Sequence, residues 1–488
     1  MRESGVLMHI TSLPGPYGIG TMGQQAYHFI DFLKKSGQRK WQILPLNPTG
    51  YGDSPYQSCS TFAGNPYLID LDTLIQEGLL LPEEVQSITW SREENKVDFG
   101  IIYENRQKVL RLAYRRFAGG EKFDRFCREH SDWLPDFALF MTLKEANGGK
   151  AWYQWDEKLK FRDPDALWQV RQEKKDQLRL YSFVRYLFDT QWQALRAYAH
   201  EAGVTIIGDV PIYVPLDSVD VWISPELYQL DEKLDPIAVA GCPPDAFTQD
   251  GQLWGNPLYR WEAHRKDGYS WWIRRMAAAA KRYDVVRIDH FRGFESYWSV
   301  PYGDKTARNG KWVKGPGLEL LKALRKSLPE VKLIAEDLGF ITPEVMEMRD
   351  ASGFPGMKVL QFAFDAEDSD YLPHNCPRLS VCYTGTHDNM TVKGWLETAT
   401  KTCRDYAVRY MRLNPEEGDT WGVIRTAMAT ASDLCIMQMQ DLLDLGQEGR
   451  MNTPGTNGGN WTWRAEPGYT SDALAERLYS LTKLYSRI

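Results

Sequence analysis

The sequence predicts a (β/α)8 barrel interrupted by large, mostly helical insertions. Three observations carry that prediction. Short apolar runs of strand length recur along the chain, roughly eight in all, with helical stretches between several of them. The first two runs flank a helix with short connections, which is a βαβ unit. Five of the runs close on an acidic residue: Asp209, Asp289, Glu336, Asp365 and Asp388. In such barrels the C-terminal strand ends form the active site, so acids recurring there point at one mouth. Clustered carboxylates repel, and a fold without a use for them should avoid that cost.

Val6 to Thr11 reads as the first strand. Gln24 to Ser36 places Tyr27, Ile30 and Leu33 at helical spacing and stops at Gly37. Lys40 to Leu46 is the second strand, followed by a turn-rich loop, Tyr51-Gly-Asp-Ser-Pro-Tyr-Gln57. From about residue 70 to 200 apolar and charged residues mix at helical spacing with little strand signal, which predicts an inserted helical subdomain. Arg171 to Lys175 reads as a solvated helix face. Val204 to Asp209 resumes the barrel. A second inserted region, about 211–282, is read as loop and helix. Its segment Gly241 to Tyr259 is too rich in Pro, Gly, Asn and Asp for a regular helix. Phe247, Trp254 and Tyr259 argue against disorder, so the long loop reads as functional.

Val285, Val286 and Ile288 form the next strand, and side-chain alternation puts Arg287 and Asp289 on one face. A fixed guanidinium favours the ionised form of a neighbouring Asp. On that stretch alone, a carboxylate nucleophile and a buried structural ion pair fit equally. Val331 to Glu336, Met357 to Asp365, Ser380 to Asn389 and Leu434 to Met439 complete the strand series, with helices at 318–327 and 343–351 among them. One domain spanning 1–488 is expected.

Composition narrows the function classes. The 488 residues carry a net charge of −7, with 25% charged and 43% hydrophobic residues, which argues against nucleic acid or an anionic membrane surface as partner. No apolar run approaches the roughly 18 residues of a membrane span, and the first residues lack the apolar core of a signal peptide. The seven cysteines are scattered and odd in number, as reduced cytosolic thiols would be, so a cytoplasmic protein is expected. The eight histidines form no metal-ligand set, and Asn309-Gly-Lys311 lacks the upstream glycine of a phosphate-binding loop. Neither metal nor cofactor is expected. Two carboxylates flanking one bond are the usual equipment of glycoside chemistry, and the 18 Trp and 25 Tyr suit amphipathic sugars.

Arg287-Ile-Asp289-His, Ala335-Glu336-Asp-Leu-Gly339 and Thr386-His387-Asp388-Asn resemble the strand-end motifs of the α-amylase clan. Gly52-Asp-Ser-Pro-Tyr56, Pro243-Pro-Asp-Ala-Phe247, Gly251 to Tyr259 and Arg450-Met-Asn-Thr-Pro-Gly455 narrow the resemblance to the 4-α-glucanotransferases called amylomaltases or disproportionating enzymes, glycoside hydrolase family 77. The resemblance runs from Gly5 to Trp463. Gly208-Asp-Val-Pro-Ile-Tyr213 lacks the Asn-His pair that α-amylases usually carry at the third strand, which fits amylomaltases. No C-terminal β-sandwich is expected either, because the chain ends soon after the last barrel helix.

The resemblance implies roles. Asp289 would be the nucleophile, Glu336 the general acid/base, and Asp388 the group that holds sugar hydroxyls in the donor subsite. Arg287 would orient Asp289, while His387 and Asp209 would bind the same sugar. Tyr56, Ser54, Trp254, Gln252 and Asp365 would be further sugar contacts. Glu336 and adjacent Asp337 face opposite ways, and the residues alone do not choose between them; the family does. His290 reads equally as a packed strand-end histidine or a sugar contact, and Asn460 to Trp463 reads as a segment of the rim with no derivable role. The implied substrates are α-1,4-glucans, maltooligosaccharides and glucose, and the implied reaction is transfer with retention. An α-amylase-type hydrolase is the alternative.

Overall fold

The computed structural model describes residues 2–244, 248–456 and 458–488. Twelve strands are present: β1 (Glu3–Leu7), β2 (Lys40–Gln42), β3 (Thr205–Val210), β4 (Ala238–Cys242), β5 (Gln252–Pro257), β6 (Val285–Ile288), β7 (Ser296–Pro301), β8 (Lys311–Lys314), β9 (Lys332–Ala335), β10 (Gly356–Val359), β11 (Ser380–Tyr383) and β12 (Leu434–Gln438). Eight of them make one parallel sheet in the order β10-β11-β12-β1-β2-β3-β6-β9. The Ala335 N–H donates to the Pro355 carbonyl at 3.0 Å, which brings the two ends of that order together as a nearly closed barrel. All eight overlap apolar runs read from the sequence, because barrel strands are buried on both faces and favour apolar residues, but their ends differ: β1 is Glu3–Leu7 rather than 6–11, and β2 and β10 stop at Gln42 and Val359, short of the ends of their runs. Packing under them is close. A Cβ on Gly208 of β3 would sit 2.1 Å from the Tyr283 ring, so only glycine lets that ring lie against the strand.

Between β2 and β3 the described elements are helices, the longest Lys175–Glu201. It buries Leu180, Phe183, Val184, Leu187, Phe188 and Leu195 at i, i+3, i+4 spacing. Its Trp192 indole N–H donates to the Arg282 carbonyl at 3.2 Å, beneath β6. That contact seats the insertion on the barrel rather than beside it.

The second insertion departs from the sequence reading. It contributes two strands to an antiparallel sheet, in the order β5-β4-β7-β8. Its partners β7 and β8 follow β6, and such non-local pairing leaves no periodic signal in the insertion itself. Pro257 is tolerated because β5 lies at the edge of the sheet. Among the described residues no helix is long and apolar enough to cross a membrane.

Candidate active site

Three barrel strands, β3, β6 and β9, end at or beside predicted carboxylates, a fourth carboxylate lies on the chain that leaves β11, and one guanidinium ties two of them. Arg287 Nη1 donates to Asp209 Oδ2 at 2.6 Å and to Asp289 Oδ1 at 3.1 Å. Register explains the meeting: Asp209 of β3 pairs with Arg287 of β6, and Asp289 lies two residues further along the same face. Asp209 is fully committed on one side. Its Oδ2 also accepts the Tyr56 hydroxyl at 2.8 Å, while its Oδ1 is buried without a partner among the described residues. Burial and the Asp209 charge push the Tyr56 phenol well up, so Tyr56 stays neutral and donates.

Tyr56 stacks on His387, with ring centroids 5.0 Å apart. Trp461 closes this aromatic corner, 5.8 Å from Tyr56 and 5.9 Å from His387. The ring of Trp461 is held there by a left-handed backbone, φ 65°, an uncommon conformation for such a bulky residue. Asp388 is held twice: Asn452 Nδ2 donates to Oδ1 at 2.6 Å, and His387 Nε2 lies 3.3 Å from Oδ2. Burial pushes the Asp388 carboxyl up, but His387, Asn452 and Arg287 outweigh it and hold it down at about 2. Arg450 supports the same residue by donating to its carbonyl at 2.9 Å.

Glu336 has a different environment. Its two oxygens accept only backbone N–H groups, His290 at 2.6 Å and Leu338 at 3.0 Å. Burial, then the Asp289 charge, pushes it up to about 8 against the pull of Arg287 and those N–H groups. Asp289 is also raised, to about 6, by burial and by Asp209 and Asp388, with Arg287 opposing. Arg287 pulls the Asp289 carboxyl down, as its charge must, but does not offset burial, because the guanidinium is shared with Asp209 and the pair is out of water. Asp289 nonetheless ionises before Glu336. The two acids interact, so they titrate as a pair that holds about one proton near neutrality.

Glu336 and Asp337 have different neighbours. Asp337 turns away from the mouth, accepting the Met357 N–H at 2.7 Å and pairing with Arg349 at 2.7 Å. His290 presents its backbone to Glu336, while its ring packs edge-on against Trp254 at 4.8 Å. Gln252 Oε1 accepts the Trp254 indole N–H at 3.1 Å, and Gln57 bridges to Asn256 at 3.3 Å, linking the Tyr56 loop to β5. Ser54 acts on its own loop, its hydroxyl accepting the Tyr56 N–H at 3.2 Å. Phe247 lies outside the described residues.

Asp365 is not brought to this cluster. β10 stops at Val359 and the chain turns into a 3-10 segment, Leu360–Phe362, so strand alternation does not extend to residue 365. Asp365 is exposed and faces the Cys403 thiol instead. Conversely, Asn452, Arg450 and Trp461 were not among the predicted site residues. The Arg450–Gly455 motif was the available signal for the first two, since it lies on irregular chain that no packing requirement explains. Among the described residues no cluster of His, Cys, Asp and Glu is arranged to hold a metal ion.

The arrangement supplies one ionised and one protonated carboxyl, a third carboxylate held ionised, and aromatic walls. The family described as 4-alpha-glucanotransferase matches residues 8–470 of the chain. A 4-alpha-glucanotransferase of Clostridium butyricum is 47% identical over 485 residues, covering 98% of this chain and 100% of the relative. One from Thermus thermophilus is 45% identical over 501 residues, covering 100% and 99%. Among solved structures, amylomaltase from Streptococcus agalactiae in complex with acarbose superposes with a TM-score of 0.97 at 44% identity, each chain covered in full.

Proposed function

The chain belongs to the 4-alpha-glucanotransferase family, glycoside hydrolase family 77, and from that premise we propose how its own residues carry the transfer. The enzyme moves α-1,4-glucan segments from a donor to the 4-hydroxyl of a glucan or glucose acceptor, with retention of configuration. Protonated Glu336 donates to the glycosidic oxygen while ionised Asp289 attacks the anomeric carbon. The reducing-end fragment leaves, and a covalent β-glycosyl ester remains on Asp289. Glu336, now a carboxylate, takes the proton of an incoming 4-hydroxyl, and the second displacement restores the α-1,4 bond. Two inversions give retention.

One observation supports this division of labour: Glu336 is bound only by backbone N–H groups and pushed above Asp289, which shares Arg287. An acid that must alternate with its conjugate base works best with a pKa near the operating pH. Asp388, held ionised beside His387 and Asn452, is suited to accept sugar hydroxyls and to stabilise positive charge developing on the donor ring. Tyr56, Asp209 and His387 would line that donor position, with Trp254 and Gln252 at the rim of the mouth; Ser54 would serve by fixing Tyr56. Asp365 would reach sugar only beyond this cluster.

The region of about 70–200 would act as a subdomain of a single barrel domain, and about 211–282 as a second insertion framing the mouth. Maltooligosaccharides and glucose would be the working acceptors, in the cytoplasm. Incubation with maltotriose tests the reading. The expected products are glucose and a ladder of longer oligosaccharides, with total reducing ends nearly constant. A steady rise in reducing ends with no product longer than the substrate would mean hydrolysis.

A further inference from the structure

The assignments above account for the donor side of the mouth and leave the acceptor side almost bare. Around the barrel, the groups that would hold the donor sugar follow β11, β12, β2 and β3: His387 and Asp388, Trp461, Tyr56 and Asp209. Asp289 and Glu336 follow β6 and β9, on the other side of the ring. Glu336 works on the oxygen between donor and leaving fragment, so a sugar beyond Glu336 is the leaving group first and the acceptor afterwards. Trp254 is fixed edge-on to His290, the residue whose N–H binds Glu336. Phe340 stands four positions after Glu336, in the loop that leaves β9 at the mouth.

That loop is anchored at both ends. Leu338 donates its N–H to Glu336 Oε1 and packs on the core, and Thr342 opens the helix Pro343–Ser352. Between the anchors, Gly339 takes a left-handed turn, φ 82°, and the Phe340 side chain is left 54% exposed. No aromatic or cationic contact engages its ring among the described residues. A lone exposed apolar residue needs no explanation in general. An unengaged aromatic on a loop hydrogen-bonded to the acid/base is a different matter, because a sugar face is a partner for such a ring.

We propose that Phe340 is an acceptor-specificity residue: its ring stacks on the incoming glucan or glucose, favouring sugar over water at the Asp289 ester. The inference rests on the roles proposed for Asp289 and Glu336. It concerns only the second half of the reaction, so a donor whose leaving group is not a sugar separates the halves. With an α-maltosyl fluoride whose non-reducing 4-hydroxyl is methylated, so that it cannot itself accept a glycosyl unit, fluoride release without added acceptor reports ester formation and its hydrolysis, and maltose is then added as acceptor. In Phe340→Ala the acceptor KM should rise roughly three- to tenfold, the range expected for losing one aromatic stack. The hydrolysed fraction should rise with it, while acceptor-free fluoride release stays within twofold of the parent. Phe340→Trp should restore the parent acceptor KM. An unchanged acceptor KM in Phe340→Ala overturns the proposal, as does an equal fall in acceptor-free fluoride release, which would mean that Phe340 supports the site as a whole. If the parent enzyme itself releases no fluoride and builds no ladder, it is the proposed function that fails.

Discussion

Strand β6 carries an aspartate at each end, and the two could hardly be treated more differently. At the lower end Asp284 pairs with Arg196 at 2.6 Å and His200 at 2.9 Å, and accepts the Ile206 N–H at 2.7 Å. Burial pushes its carboxyl up, but the Ile206 N–H, His200 and Arg196 together hold it below the usual range. At the upper end Asp289 shares a single guanidinium with Asp209 and faces Asp388 as well, and it is raised to about 6. Each aspartate has an arginine. What sets the sign of the shift is the ratio of cations and N–H donors to carboxylates, and only the upper end runs short. A cavity of about 510 Å³ opens at the lower end, lined by Arg196, His200 and Asp284 among others. None of the predicted site residues lines that cavity.

Substituting the two aspartates separates them most sharply. Asp289→Asn should lower transfer activity by about 10⁴-fold or more, as loss of a covalent nucleophile does. Asp284→Asn should stay within about threefold of the parent, since it touches no proposed substrate contact. Comparable losses in two folded proteins would erase the distinction between the ends. Product chromatography from maltotriose, with circular dichroism as a check on folding, decides it.

The same contrast recurs one strand over, between neighbours. Glu336→Gln should cost roughly 10²- to 10⁴-fold in turnover, the range of a general acid/base. Asp337→Asn should keep most activity and pay in stability instead, because Arg349 and the Met357 N–H lose a charged partner. An azide rescue sharpens the test. A small external nucleophile can replace a missing base in the second step, so a rescued glycosyl product should appear with Glu336→Gln only when the donor has an activated leaving group.

Much of this was legible in the sequence. The eight barrel strands overlap apolar runs dense enough to read, and the carboxylates at β3, β6 and β9 sit at or next to strand ends, while Asp388 lies on the chain after β11 and was legible through its Thr386-His387-Asp388-Asn motif. Asp365 misled because an apolar run continued past the true end of β10, where the backbone had already left the strand. The antiparallel sheet was illegible as a whole because its central pairing, β4 with β7, joins segments on either side of β6. Asn452 and Trp461 lie on irregular chain after β12, where no period betrays which side chains turn inward. The raised carboxyl of Asp289 was equally hidden, since the sequence shows the arginine but not how many acids share it.

The pH profile tests that sharing directly. Transfer requires Asp289 ionised and Glu336 protonated, so kcat/KM should form a bell with limbs near 6 and 8. Asp209→Asn removes a charge that raises Asp289 and leaves Arg287 to it alone. The acid limb should move to lower pH, even though donor binding weakens. Asp284→Asn should leave both limbs in place. An acid limb that does not move in Asp209→Asn would mean that the competition for Arg287 does not govern Asp289.

The smallest effect is on stability, and here the two aspartates should act with opposite sign. The Asp289 carboxyl is raised on folding, so the folded chain binds its proton more tightly than the unfolded chain does. Stability is then lost as pH rises towards about 6, and at pH 7 ionised Asp289 costs the fold on the order of 3 kcal/mol. Asp289→Asn removes that cost without orphaning Arg287, which keeps Asp209 at 2.6 Å. The inactive variant should therefore melt higher than the parent at pH 7, and the advantage should vanish near pH 4. The Asp284 carboxyl is depressed on folding, so its contribution is present above the ordinary Asp pKa and is lost as pH falls below it. Asp284→Asn should accordingly melt lower at pH 7, with the gap closing in acid. Thermal melts of the three proteins at pH 7 and pH 4 check both signs. If Asp289→Asn melts lower at pH 7, the upper end is a structural ion pair after all, and the difference between the two ends of β6 is only one of position.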